Sequence, residues 1–365
     1  MTTRQAGAAL TLLGTLICNA EASDAGRETG GVTTVAVPGG GKPVVARVGP
    51  DGAIHLLFDS SHGPGYAKST DGGLTFGPTI PVLGDGPRVS GLEYSAWDLA
   101  VGREGRIHVA MGTNAWKLKL PQDEWGLFYA RLDPGSDAFT AVRNINRKPS
   151  EGFSLAADGA GNVTACWLSE KLYASVSRDD GETFAPPMEI DRRFNPCDCC
   201  TTSAAYGEDG RLAVLYREET ANERDMYLVL WDQAGGRVER KRVGRTPWKI
   251  DGCPMTYYSV NARPGGFVAA WPTKGEIKYA TLDGKGNPSG PAEIRTPGMS
   301  GMRTGVVALS GMKGGTLVAW TRDGRLGWQS YGADGEPSGP AGSAASVGSG
   351  VAGVPRADGG FVLFR

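Results

Sequence analysis

The chain has 365 residues, 40% of them hydrophobic, with 56 glycines, 23 prolines and a formal net charge of -1. That balance supports a sizeable core of short strands and tight turns and excludes collagen-like and disordered classes. It supplies no basic face for nucleic acid and no electrostatic attraction to a membrane surface.

At the N-terminus, Arg4 precedes an apolar run over residues 6–17 that is too short to span a bilayer. Ala20-Glu21-Ala22 then puts small residues where a signal peptidase cuts. Residues 1–22 read as a signal peptide and 23–365 as a single domain, periplasmic or secreted. Lipidation at Cys18 is disfavoured by the bulk of Ile17 before it. No later stretch is long and apolar enough for a membrane helix, so no membrane attachment is expected after cleavage.

The mature chain is repetitive. A turn ending in Gly precedes an apolar strand again and again: Gly52 before Ile54, Gly105 before Ile107, Gly161 before Val163 and Gly210 before Leu212. Gly266, Gly315 and Gly360 continue the series before Phe267, Leu317 and Phe361. Successive copies lie roughly 45 to 56 residues apart, the spacing of four-stranded propeller blades. The first copy predicts strand A over residues 43–48, B over 54–59, C over 66–69 and D over 76–82. Helical periodicity is absent. The final copy ends at Arg365 without room for strands C and D, so residues 32–38 are expected to supply an outer strand there and close the ring. The prediction is an all-β propeller of seven blades, with six as the alternative.

Two C-to-D turns carry a shared motif. Ser69-Thr70-Asp71-Gly72-Gly73-Leu74-Thr75-Phe76 and Ser177-Arg178-Asp179-Asp180-Gly181-Glu182-Thr183-Phe184 both read S-x-D-x-G-x-T-F. This resembles the Asp-box, or bacterial neuraminidase repeat, of sialidase-like propellers. The resemblance implies the fold rather than the activity, because the motif is structural: its Asp bonds local amides and its Phe packs between sheets.

Propeller topology puts D-to-A and B-to-C connections on one face, where binding residues belong. Cys197-Asp198-Cys199-Cys200 lies on the approach to the fourth A strand and Cys253 on the approach to the fifth. Equivalent positions in adjacent blades should meet. Thiolates converging in this way favour a soft metal, copper first and zinc second. His62, in the first B-to-C loop, is a further candidate ligand, and Met299 and Met302 are others. An extended segment would point Cys197 and Cys199 to one side and Cys200 to the other. Ordinary disulfides are the competing use of these cysteines, and four of them allow three pairings. Cys166 reads as a buried core thiol, and His55 and His108, at matching B-strand positions, as packing residues.

Arg217, Glu218, Glu219, Glu223, Arg224 and Asp225 crowd the fourth B-to-C loop, either as solvated ion pairs or as support for the cysteines. Arg224 and Asp225 are the candidates for setting substrate orientation and protonation at an open metal position. The Cys-Asp-Cys-Cys-Thr-Thr-Ser-Ala-Ala run with Glu223-Arg224-Asp225 and Trp248-Lys249-Ile250-Asp251-Gly252-Cys253-Pro254 is similar to a set of exported bacterial propellers.

A sialidase would need more. The resemblance implies three arginines on the substrate carboxylate, a Tyr nucleophile activated by Glu, and an Asp acid. Arg47, Arg224 and Arg303, with Glu93 and Tyr257, are the available candidates. The Arg-Ile-Pro segment of that family is replaced here by Lys42-Pro43-Val44-Val45-Ala46-Arg47. The reading is therefore an exported propeller with a copper site for copper handling or for oxidation of a small molecule. The alternative is a glycan-binding or glycan-cleaving propeller with structural disulfides. Partners are a metal ion or small molecule, with a protein partner permitted by the fold.

Overall fold

The computed structural model describes residues 30–84, 94–113, 115–149, 151–190, 192–193 and 195–365. The expected signal peptide, Cys18 and Glu93 lie outside the described residues. The rest forms six four-stranded antiparallel sheets and one three-stranded sheet, a seven-bladed propeller. Alternation writes each blade. Strand Ile54–Ser60 pairs with Lys42–Val48 on one side and Gly63–Ser69 on the other. Its outermost strand shrinks to Ile80–Pro81, shorter than expected, because Pro78 and Pro81 cannot donate to the ladder. A one-turn helix, Ala115–Leu118, decorates the second blade's B-to-C connection.

The seventh blade is built from both ends of the sequence. Ala352–Pro355 is its inner strand, in contact with Lys42–Val48 and Val306–Ser310 of the blades on either side. Phe361–Phe364 follows antiparallel, and Val32–Val35 completes the sheet on the outside, as expected. That outer strand runs parallel to its neighbour. The direction follows from topology: it must end on the face from which the first blade's A strand rises. It therefore runs as a D strand does, while occupying the place of C.

Burial is organised by seam rather than around one centre. Seven clusters of buried side chains fill the seven gaps between adjacent sheets. Short polar side chains on the inner strands then tie blade to blade. Leu155 N–H donates to Asp98 Oδ2 at 2.9 Å, and Ser154 Oγ meets Thr202 Oγ1 at 2.8 Å. Val260 N–H donates to Ser203 Oγ at 3.0 Å, and Ala308 N–H to Ser259 Oγ at 2.9 Å.

Both Asp-box turns have the expected chemistry. Asp179 Oδ1 accepts from Ser177 Oγ at 2.7 Å and Thr183 N–H at 2.9 Å, and Oδ2 accepts from Thr183 Oγ1 at 2.6 Å. Asp71 does the same with Ser69 and Thr75. Phe76 meets Phe364, and Phe184 meets Tyr129, each edge to face across a seam. At Gly181 (φ 84°) any Cβ would fall on the Tyr129 hydroxyl, so the motif requires Gly there. His55 and His108 are packing residues: each places Nδ1 2.7 Å from a Tyr hydroxyl, of Tyr66 and Tyr129 respectively. Burial pushes His55 down to about 4. Cys166 is a buried free thiol, and burial pushes it up.

Burial works against the Asp179 carboxylate, but hydrogen bonds from Thr183 and Ser177 outweigh it and hold the group down at about 2. A depressed carboxylate stabilises the fold above its unfolded pKa of about 3.9, and that contribution is lost as pH falls through the folded value. Asp179→Ala should therefore cost about 1 kcal/mol at neutral pH. The deficit should shrink as pH drops toward about 2. Denaturant unfolding of both proteins across that range checks it, and a pH-independent deficit would refute the carboxylate's role.

Candidate metal centre

Residues 195–201 lead into the fourth blade's inner strand, Thr202–Tyr206. They are pinned by that blade's B-to-C hairpin: Cys197 N–H donates to Arg217 O at 2.9 Å and Glu219 N–H to Asn195 O at 2.7 Å. Cys200 N–H then donates to Cys197 O at 2.9 Å, closing a turn. This corrects the extended reading. The turn folds Cys200 back, so its sulfur lies 3.3 Å from that of Cys197 instead of on the far side.

Cys253 arrives from the approach to the fifth blade, as expected from equivalent positions. It forms a disulfide with Cys199, with the Cα atoms 6.6 Å apart. Cys197 Sγ is 3.7 Å from Cys199 Sγ and 3.8 Å from Cys253 Sγ. The ligand atoms of Cys197, Cys199 and Cys253 all lie within 4.8 Å of one another. Four sulfurs thus meet on top of the seam between blades four and five, where Cys197 and Cys200 join the buried cluster and Cys253 packs against it. Cys197 and Cys200 are each 2% exposed, while Cys199 faces solvent.

Two guanidinium groups surround this cluster. Arg224 Nη1 donates to Cys197 Sγ at 2.9 Å, and its Nε donates to Ile250 O at 3.4 Å. Arg217, fully buried, donates to the carbonyls of Arg224 and Pro272, each at 2.6 Å, and stacks 5.0 Å over the Trp248 ring. Among the described residues neither arginine forms an ion pair with a carboxylate. A buried cation is stabilised by a nearby anion, and Cys197 is placed to supply one when it ionises. The Cys197 thiol is held down to about 7, first by the Cys200 S–H donated to it, against burial, and then by the charges of Arg224 and Arg217. Cys200 is pushed up by that same donated bond and by burial.

The other candidates divide. Asp225 does not face the sulfurs: Oδ1 accepts from Trp248 N–H at 3.0 Å and Oδ2 pairs with Arg242 at 2.6 Å. It fixes the hairpin that carries Arg224. The charged loop divides: Arg217, Glu218 and Asp225 at its base are buried, Glu219 and Arg224 are half-buried, and Glu223 at its tip is exposed. Tyr258, which the sequence reading did not connect to the cysteines, donates to Thr201 O and accepts from Arg217 N–H at 3.0 Å, tying the two approaches together. His62 is exposed in the first blade's hairpin beside Ser61 and is not in the group of converging ligand atoms. Met299, at the end of strand Ile294–Met299, and Met302, in the loop after it, are exposed, and that loop is bonded to the Cys253 segment through Arg303 N–H to Met255 O at 2.7 Å. Of the arginines considered for a carboxylate clamp, Arg47 is paired with Asp98 at 3.2 Å and Arg224 serves Cys197. An apolar groove of about 550 Å³, lined by Phe184, Met188, Trp231 and Val238, lies at the second Asp-box and away from the cysteines.

Comparison with known proteins agrees with the fold. No protein-family model and no curated protein matches the chain. Among solved structures it is similar to an ulvan lyase of a polysaccharide lyase family, at 12% identity, with 86% of each chain covered and a TM-score of 0.51. A Hadza microbial sialidase matches at 12% identity, covering 83% of this chain and 71% of its own, with a TM-score of 0.47. The SapL1 lectin matches at 13% identity, covering 73% of this chain and 87% of its own, with a TM-score of 0.45. The class that the fold defines is the seven-bladed β-propeller. On this propeller the sulfur cluster is the feature that could carry chemistry.

Replacing Arg224 by Met keeps the stem and removes the charge. The Cys197 titration should then move up from about 7 toward the ordinary thiol value of about 8.5, read by thiolate ultraviolet absorbance. An unchanged titration would remove the guanidinium from the argument.

Proposed function

We propose that this propeller binds a soft metal ion, copper as Cu(I), through Cys197, Cys199 and Cys253, and that its role is copper handling. The supporting observation is the convergence of three sulfurs from two blades beside two arginines that have no carboxylate partner among the described residues. Thiolate ligands near 2.3 Å from a shared ion stand about 3.8 Å apart at tetrahedral angles. Cys197 already lies 3.7 and 3.8 Å from its two neighbours. A three-thiolate Cu(I) site carries net negative charge, which Arg224 and Arg217 offset. An all-sulfur set without imidazole or carboxylate suits Cu(I) better than harder ions. Zinc, which favours four ligands in structural sites, would have to recruit Cys200.

The exposed edge at Cys199 leaves such an ion open to solvent, which suits transfer from a carrier or contact with a small-molecule substrate. There Arg224 positions the Cys197 sulfur, and Asp225 acts one step further out by holding the hairpin. The disulfide fits an oxidising compartment, periplasmic or extracellular.

Reduced protein, competed against a Cu(I) chelator, should retain stoichiometric copper. Cys197→Ser, Cys199→Ser and Cys253→Ser should each abolish retention, whereas His62→Ala should leave it unchanged. Arg224→Met should weaken binding by about 10- to 100-fold, the usual effect of losing an outer partner. Failure of the fully reduced wild type to retain copper ends this reading, and preferential zinc retention that requires Cys200 redirects it.

A further inference from the structure

The same sulfurs cannot be bonded to each other and to an ion at once. Cys199 and Cys253 are joined, so whatever opens that bond controls the site. Internal exchange is poorly placed to do so. Displacement at sulfur proceeds along the axis of the breaking bond. Cys197 Sγ is nearly equidistant from the two bridged sulfurs, at 3.7 and 3.8 Å, so it lies beside that bond and off its axis. It is also shielded from solvent, as is Cys200. From outside, the two bridged sulfurs are unequal. Cys199 belongs to an exposed residue, whereas Cys253 is half-buried against the seam. Cys253 Sγ, moreover, accepts the Met255 N–H at 3.3 Å, an interaction that strengthens when that sulfur departs as a thiolate.

We propose that Cys199 is the exchange sulfur through which an external dithiol reduces the Cys199–Cys253 bond, and that this reduction gates metal uptake. The first thiolate of the dithiol attacks Cys199 Sγ. A mixed disulfide forms, the Cys199–Cys253 bond breaks, and Cys253 leaves as a thiolate held by Met255 N–H. The second thiolate of the dithiol then attacks its partner sulfur in the mixed disulfide, forming the dithiol's own disulfide and releasing Cys199. Two electrons pass from the dithiol to the chain, and its two protons end on Cys199 and Cys253 or are displaced by the ion. Cys197 and Cys200 stay reduced throughout. The exchange step stands independently of the metal, while the gating step rests on the copper reading of the same site.

Two measurements separate them. Protein purified without reductant is treated briefly with glutathione and then quenched with excess iodoacetamide to cap released thiols, and the products are mapped by peptide mass spectrometry. The expected product carries glutathione on Cys199 and the alkyl group on Cys253. Glutathione on Cys253 or Cys197 overturns the assignment. So does a native disulfide that resists glutathione under conditions in which the urea-unfolded chain reacts. Silver(I), a thiophilic ion without redox chemistry here, is then offered to oxidised protein and to protein reduced with dithiothreitol and desalted. Uptake confined to the reduced form supports the gate, and equal uptake by both forms overturns it. Reduction through Cys199 with no silver or copper retained overturns the metal reading and leaves the exchange assignment intact.

Discussion

The pairing of Val32–Val35 with Phe361–Phe364 joins segments from opposite ends of the sequence in one sheet. It is the contact on which the ring depends. Seven seams can be filled only if the seventh sheet is complete, because an unfinished blade would leave the first and sixth facing water with apolar surface and unpaired strand edges. A closed ring in turn fixes the angle between neighbours. Approaches to adjacent A strands then start side by side, and Cys253 has to arrive where Cys197 to Cys200 begin. The sulfur cluster is thus a consequence of closure as much as of local sequence.

Much of the scaffold is legible in the sequence. Gly-to-strand spacing gave seven copies, and the missing outer strands of the last copy pointed to the early segment. The parallel direction of that segment was not legible, because pairing direction depends on which face the chain must reach next. Two Asp-box turns were recognisable because their chemistry is confined to eight consecutive residues.

The site was legible in part. Equivalent blade positions brought Cys253 to the Cys197–Cys200 run, but the fold of that run was hidden. Its turn depends on hydrogen bonds to Arg217 and Glu219, which are distant in sequence. Arg217 itself looked like the start of a charged loop. A signal was present, since it directly follows the apolar run Leu212-Ala213-Val214-Leu215-Tyr216. A charged residue drawn inside with such a strand is almost never left without a partner. His62 stands outside the converging group because sharing a face of a wide ring does not bring a residue to another blade.

Latching a ring with its first strand also orders its assembly in time. Val32–Val35 emerges early in synthesis but has no pairing partner until Phe361–Phe364 exists. Closure therefore waits on the pairing of the two strands that lie furthest apart in sequence, a contact of the kind that slows folding, and the facing surfaces of the first and sixth blades gain their cover only when it forms.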